Sequence, residues 1–502
     1  MSRQKESWSF QDTSLKRSFL WSLAITALPV VSGFVVSWVI ARWAGPRVVG
    51  TVSWVMSFAT AVLIIGKFGL DLAASRLASE FGVGAAGSLR ALFRTAIQLR
   101  LLFTCSVALL AWVFSPRVAG FFDDTDLTGP IRVGALVVVC ASLYEFKENF
   151  LIGLNRLQTV YRIRAVHLLL RVLVTCVLVF LGLGATQILG GYCAAWAVAI
   201  AVYVAMLMRF LPVEDAGPAR EGLARRLLVL SVPLAVSSAS VTIYSHMDRL
   251  MLGYFSGIEE VGQYAVARNI SEVSLFPVFA LIMMLRPALA SRFSGGDVTE
   301  CAAIIRRSLR FSLVSGVLFA AIFAVFGLPL VTAVFSRDFS HAGGLMIFFA
   351  GVIVFRSIGA VILPSLVAAE RTRVYAYLTA ASAVLNFALN LVLIPKYQAR
   401  GAVIATLVSY GVLLIVGLHE VFVTYGVRLS GRSVSLGLRT ILAGSLAAGI
   451  VWPLRGRTGL EWEAFLWAGV LTVAYALLAV AFRVARAEDI RVLLINLRKS
   501  KG

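Results

Sequence analysis

The chain has 502 residues, 60% of them apolar or aromatic and 14% charged, with a mean hydropathy of +0.89. Soluble proteins run at about 45–50% apolar and about 25% charged, so this composition excludes a string of soluble domains and implies a polytopic membrane protein. Lys and Arg number 46 against 25 Asp and Glu, a net charge of +21. In a membrane chain that excess reflects basic cytoplasmic loops, so no nucleic-acid partner is expected.

In chain order, fourteen stretches of about 20 apolar residues, bounded by charge or by Gly and Pro, predict transmembrane helices. They lie near 18–41, 49–70, 91–114, 131–153, 165–184, 187–209, 228–253, 263–289, 309–331, 345–367, 375–395, 401–424, 438–454 and 463–484. The first apolar run is longer than the core of about 7–15 residues that a cleavable signal carries. An even number of spans puts both termini on one side. With that side cytoplasmic, inner segments hold about 30 Lys and Arg and outer loops about 9. Lys16-Arg17, Arg225-Arg226 and Arg306-Arg307 fall inside, while Asp123, Asp124, Asp126, Glu259 and Glu260 fall outside. No loop exceeds roughly 20 residues, which leaves no room for a soluble catalytic domain. Residues 1–17 and 485–502 read as basic cytoplasmic tails, and 486–499 as an amphipathic helix along the inner membrane face. The five cysteines form no CxxC pair and the four histidines no zinc spacing, so no metal or cofactor is expected.

The first twelve spans echo one another. Trp43-Ala44-Gly45 with Val49-Gly50 matches Phe255-Ser256-Gly257 with Val261-Gly262, 212 residues on. Ala74-Ser75-Arg76 matches Ala290-Ser291-Arg292 and Arg94 matches Arg310 at an offset of 216, Pro116 matches Pro329 at 213, and Asn155-Arg156 matches Glu370-Arg371 at 215. The expected organisation is an all-α integral membrane protein with two parallel-related six-helix lobes, 18–210 and 228–425. A cytoplasmic linker at 211–227 joins them, and two extra C-terminal spans lie within 438–484. An even repeat relates the lobes by an axis along the membrane normal, a symmetry of secondary transporters whose substrate sites lie between the repeats.

Polar residues fall on single helix faces. Span seven has Ser231, Ser238, Thr242, Ser245 and Arg249 at steps of seven, four, three and four, with Asp248 beside them. Span eight has Tyr264, Arg268 and Glu272 at i, i+4 and i+8; span one has Ser22, Thr26, Pro29, Gly33 and Ser37; span two has Ser53, Ser57, Thr60, Lys67 and Asp71. Facing one another, these four helices would line a water-accessible cavity, in which Ser238, Thr242, Ser245, Tyr264, Ser57 and Thr60 are the expected neutral lining. Charges inside spans cost about 2.5–3.5 kcal/mol on insertion scales and so face protein or water. Arg249, Arg268, Arg356 and Lys67 are the expected substrate-binding cations, and Asp248 and Glu272 the candidate ion-coupling acids. Arg249–Glu272 or Asp248–Arg268 would serve equally as structural pairs. Glu145, Lys147 and Glu148 are expected to neutralise one another, Arg171 and Lys67 would snorkel inward if they are structural, and Arg100 and Arg356 are expected to lack a local acid. A basic cavity suits an anionic headgroup, because the guanidinium fork matches phosphate oxygens.

DRLMLGYFSGIEEVGQY at 248–264 resembles the span seven–eight turn of the bacterial oligosaccharide-lipid flippases of the multidrug/oligosaccharidyl-lipid/polysaccharide (MOP) superfamily, through Asp248, Gly253, Val261, Gly262 and Tyr264. RWAGPRVVGTVSWV at 42–55 resembles the corresponding first-half turn. The resemblance implies a V-shaped pair of six-helix lobes in the bacterial inner membrane. Its implied activity is transfer of an undecaprenyl-diphosphate-linked oligosaccharide to the outer leaflet for O-antigen, lipopolysaccharide or exopolysaccharide assembly. Membrane lipids and a polysaccharide polymerase are the implied partners. Basic cavity residues map onto Arg249 and Arg268, and more weakly onto Arg356 and Lys67. The rival readings are a cation-coupled drug antiporter of the same superfamily, whose cavity would be acidic, and a membrane polymerase or glycosyltransferase, which would need a larger outer loop than 115–130.

Overall fold

The computed structural model describes residues 13–81, 86–210, 222–427, 431–454, 463–482 and 484. Side chains are described from residue 28 onward, except at 86, 87, 210, 233, 236–238, 240, 241, 283, 284, 286, 287, 432, 433 and 454. Both tails, most of the 211–227 linker and the 486–499 stretch therefore lie outside the described residues, as do the side chains of Ser22, Thr26 and Ser238.

Every described element is helical. In chain order they are α1 (Thr13–Lys67), α2 (Leu70–Phe81), α3 (Ala86–Val113), α4 (Ser115–Phe121), α5 (Thr128–Gly153), α6 (Leu157–Phe180), α7 (Ala185–Phe210), α8 (Leu223–Ser256), α9 (Ile258–Ser274), α10 (Phe276–Ser294), α11 (Val298–Val334), α12 (Ser340–Ala368), α13 (Thr372–Tyr425), α14 (Gly431–Val451) and α15 (Glu463–Ala481). The predicted spans fall on these helices, except that 263–289 is divided between α9 and α10 and 49–70 crosses the break between α1 and α2. Among the described residues ten helical stretches are long and apolar enough to cross a membrane, or eleven when the pair bent by 49° around Leu275 counts as one, against the fourteen expected.

Two of those stretches are double. A straight 55-residue helix would be ~80 Å long, far beyond a bilayer. α1 leaves helical geometry at Gly45 (φ 82°, ψ 178°) and α13 at Gln398 (φ 53°, ψ −133°). A Cβ on Gly401 would strike the Leu393 carbonyl, eight residues back, so the chain doubles on itself there. Each of these helices thus has a first and a second arm.

Backbone geometry repeats at the offsets of the sequence echoes. Gly257 (φ 87°, ψ 167°) reproduces Gly45, 212 residues earlier. Asn155 (φ 58°) and Glu370 (φ 60°) hold the same left-handed turn, 215 apart. In each, the next amide reaches back five residues, Arg156 N to Leu151 O at 3.0 Å and Arg371 N to Leu366 O at 2.9 Å, which closes the preceding helix in a Schellman pattern. The 3₁₀ turns Thr125–Leu127 and Arg337–Phe339 lie 212 apart and each buries its last residue. This turn geometry recurs because it sets the direction in which the next helix leaves.

The first half, α1–α7, meets the second, α8–α13, through the second arm of α1 and α9. A Cβ on Gly50 would strike the Ile258 carbonyl, and one on Gly262 would strike the Pro46 carbonyl. Gly50 and Gly262, and Pro46 and Ile258, are each 212 apart, so the contact is reciprocal and marks the pseudo-twofold axis between the halves. Close by, Trp38 Nε1 donates to Val334 O (2.8 Å) and Arg42 to Phe335 O (3.2 Å). At the opposite end of the molecule, Gly69 lies against the Ser231 carbonyl, and Arg226 pairs with Glu80 at 2.7 Å. α14 and α15 pack on each other and on α11, where Tyr475 Oη donates to Val314 O (2.9 Å).

Candidate functional site

The polar faces of α8 and α9 meet in the second half. Their turn is a single residue, Gly257, instead of the longer loop expected between 253 and 263, because its extended ψ reverses the chain in one step. Arg249 and Arg268 lie eight and eleven residues from it, ~12 and ~16 Å along their helices, nearer the membrane centre than a longer loop would put them.

Asp248 is 2% exposed and accepts hydrogen bonds from Tyr264 Oη (2.6 Å), Asn390 Nδ2 (2.7 Å) and Thr406 Oγ1 (3.1 Å). Arg268 Nη1 stands 3.8 Å from the same carboxylate, and its Nε 3.8 Å from Glu272. Glu272 is held by Arg356 through two bonds, 2.8 and 3.1 Å, so Arg356 has the acid partner that sequence reasoning denied it. Arg249 makes no hydrogen bond or ion pair among the described residues, and its Nε is buried without a partner. Three guanidiniums therefore share two carboxylates, leaving one positive charge over, and the side chains of Arg268, Arg356 and Glu272 keep 18%, 18% and 29% accessibility.

His246, one turn before Arg249, bonds through Nδ1 to Ser57 Oγ on the second arm of α1 (3.2 Å). The Arg249 face of α8 thus looks across at the first half. Two of the expected lining residues do not line open space in this conformation. Tyr264 is 1% exposed because its hydroxyl turns inward to Asp248, and Ser57 is 0% exposed because it is sealed between the Ser53 carbonyl and His246. Thr60 bonds back to Met56 O, and Thr242 and Ser245 are partly buried on α8.

In the first half two acids pair with bases from other helices. Lys67 binds Glu145 at 3.0 Å and Glu148 binds Arg164, so the expected mutual neutralisation of Glu145, Lys147 and Glu148 does not occur; Lys147 has no ion pair among the described residues. Arg100, fully buried, bonds Ser142 Oγ (2.7 Å) and the carbonyls of Ser142 and Lys67, and lies 3.6 Å from Asp71. It holds together the break between α1 and α2, at Phe68 and Gly69, where helix-end carbonyls have no intrahelical donor. Arg171 does not snorkel: it reaches Ser32 Oγ (3.3 Å) and lies over the Tyr192 ring. Sequence reasoning missed Asn386, Asn390, Thr406 and His246. Two carboxamides one turn apart in an apolar span were the available signal. Among the described residues no group of three or more His, Cys, Asp or Glu forms a metal site.

All-helical and multi-pass, with repeated halves and a charged cluster inside the second, the chain falls in the MOP superfamily. The chain belongs to the polysaccharide biosynthesis protein family, whose sequence profile matches residues 15–293, and a MatE profile matches 233–392. It is 27% identical over 401 residues to a probable lipid II flippase (MurJ) of Rhizobium meliloti, covering 74% of this chain and 73% of that one. It is 26% identical over 240 residues to a probable low-salt glycan biosynthesis flippase (Agl15) of Haloferax volcanii, covering 47% of this chain and only half the length of that protein. The fold matches that of a lipid II flippase, MurJ, in an inward closed conformation (TM-score 0.73, 14% identity, 92% of this chain and 99% of that one). It also matches an inward-facing MATE multidrug transporter (TM-score 0.65, 13% identity, 81% and 96%).

Proposed function

We propose that this chain moves an undecaprenyl-diphosphate-linked oligosaccharide from the inner to the outer leaflet of the bacterial cytoplasmic membrane, for O-antigen or exopolysaccharide assembly. It would cross the membrane fourteen times with both termini in the cytoplasm, two six-helix lobes alternating access around the site and α14–α15 added to the side. The observation that supports this reading best is the uncompensated Arg249 beside Arg268, facing the seam between the halves. A diphosphate diester brings about two negative charges to a cluster with positive charge to spare, and guanidiniums bind phosphoryl oxygens through paired donors. The names of the glycan and lipid II flippases among the relatives point the same way.

The headgroup enters between the lobes while the polyprenyl tail stays in the bilayer. Outward movement of two negative charges against an inside-negative potential is favourable by ~2.3 kcal/mol per charge per 100 mV. Asp248, buried among neutral donors, is the better candidate for H⁺ or Na⁺ coupling; Glu272, doubly bonded to Arg356, acts as a fixed counter-charge.

In proteoliposomes, Arg249→Ala with Arg268→Ala, at unchanged protein level, is expected to abolish leaflet exchange of the lipid-linked glycan. Normal exchange would remove both residues from the site. A cationic drug antiporter would instead export a cationic dye from the same vesicles, and a polymerase would form glycosidic bonds.

A further inference from the structure

The duplication places a second polar pocket in the first half, and its electrostatic sign is reversed. Because the Asn155 and Glu370 turns have the same geometry, the helices that follow them, α6 and the first arm of α13, run in a common register 215 residues apart. Arg171 then corresponds to Asn386, and Thr175 to Asn390. In the second half those carboxamides surround Asp248 together with Thr406. In the first half the position 212 residues before Asp248 is Val36, and the pocket between α1, α6 and α7 holds Arg171, Thr175, Ser32 and Tyr192. Carboxylate and carboxamide oxygens are replaced by a guanidinium and hydroxyls.

Among the described residues Arg171 has no counter-charge. Its one hydrogen bond there is to the neutral Ser32 Oγ at 3.3 Å, its guanidinium carbon lies 5.8 Å from the Tyr192 ring centre, and its Nε is buried with no partner. Neither α1, α6 nor α7 contains a single Asp or Glu, and the acids of neighbouring α5 are engaged by Lys67 and Arg164. Arg171 is fourteen residues into α6, ~21 Å from its first residue and ~14 Å from its last, in the middle of an apolar helix. An arginine so placed needs a counter-charge, and the described residues supply none nearby.

We propose that Arg171, with Ser32 and Tyr192, forms an anion-binding site in the first half that takes one compact anion, a halide or a phosphoryl group, through the guanidinium donors. The anion comes either free from solution or on the phosphate of a lipid headgroup. This site goes beyond the transport reading and does not depend on it, because binding is read without flipping.

The test uses the full-length protein in detergent, in sodium gluconate, with chloride or inorganic phosphate titrated in and the melting temperature followed. The wild type should be stabilised saturably. In an Arg249→Gln background, which removes the second-half cluster's share of the response, Arg171→Gln should raise the half-maximal anion concentration by about tenfold or more, as loss of a charge-assisted donor pair requires. If farnesyl diphosphate competes with phosphate for the Arg171-dependent shift, the anion is a lipid phosphate; if the two shifts add, it is a free ion. Should Arg171→Gln not yield folded protein, Arg171→Lys and Ser32→Ala must each weaken the response. Equal responses in wild type and variants, or no response in the wild type, would overturn the site.

Discussion

The pockets around Asp248 and Arg171 occupy equivalent places in the two halves but solve opposite problems. Asp248 sits in a closed network in which three neutral donors and the edge of Arg268 satisfy its oxygens. Arg171 sits in an open one, with a single weak acceptor and an orphaned Nε. The turns that orient the helices recur nearly degree for degree, whereas the side chains they deliver have diverged in sign. Duplication in a membrane protein preserves what the backbone must do to bury its own polar groups, and leaves the charge inside each lobe free to specialise.

The largest effect should come from breaking the closed network. Asp248→Ala strands the donors of Tyr264, Asn390 and Thr406 and leaves Arg268 with less counter-charge. A cost of about 3–5 kcal/mol is expected, as for one partner removed from a buried ionic network, read as a fall in melting temperature in detergent. Asn390→Leu takes one donor from the carboxylate and leaves two, so it should cost less, about 1–3 kcal/mol. If the two variants melted alike, Asp248 would owe its environment to Asn390 alone, and the network description would fail.

A second pair of variants tests the symmetry itself. Gly50 and Gly262 present the same face to each other's helix across the pseudo-twofold axis, so Gly50→Ala and Gly262→Ala should disturb the outer closure to the same extent, each by about 1–3 kcal/mol of overpacking. In a chain whose five native cysteines are replaced, a cysteine at Ser57 should then react faster with a membrane-impermeant thiol reagent added from outside. An effect from only one of the two glycines would show that the outer contact is not reciprocal.

The helices, and the echoes between them, were legible in the sequence because apolar length and turn residues are local signals. The charge pairing was not. Arg268 and Glu272 are four residues apart and could be paired on a helical wheel, but Arg356 reaches the same acid from 84 residues away and Lys67 meets Glu145 across 78. Only the packing of α12 on α9, and of α1 on α5, makes those contacts. Tyr264 shares the helical face of Arg268, yet its hydroxyl is drawn inward by Asp248, a choice of side-chain direction that periodicity does not encode. Asn386, Asn390 and Thr406 escaped notice because uncharged polar residues in apolar spans read as packing contacts. Arg171 was visible as a charge, but its isolation depends on three helices that happen to lack acids.

The smallest expected effect is the most discriminating. Arg171→Asn installs in the first half the residue that the second half carries at the equivalent position. Without an anion the change removes an unbalanced cation and one long hydrogen bond, so loss and gain nearly cancel, and stability should move by no more than about 1 kcal/mol in gluconate. That contrasts with the several kcal/mol expected for Asp248→Ala at the corresponding depth. In saturating chloride or phosphate the wild type gains the free energy of the bound anion and the variant does not, so the gap between them should widen with anion concentration. A large loss already present in gluconate would mean that Arg171 is balanced by the protein itself, and the two pockets would then be alike in closure and different only in sign.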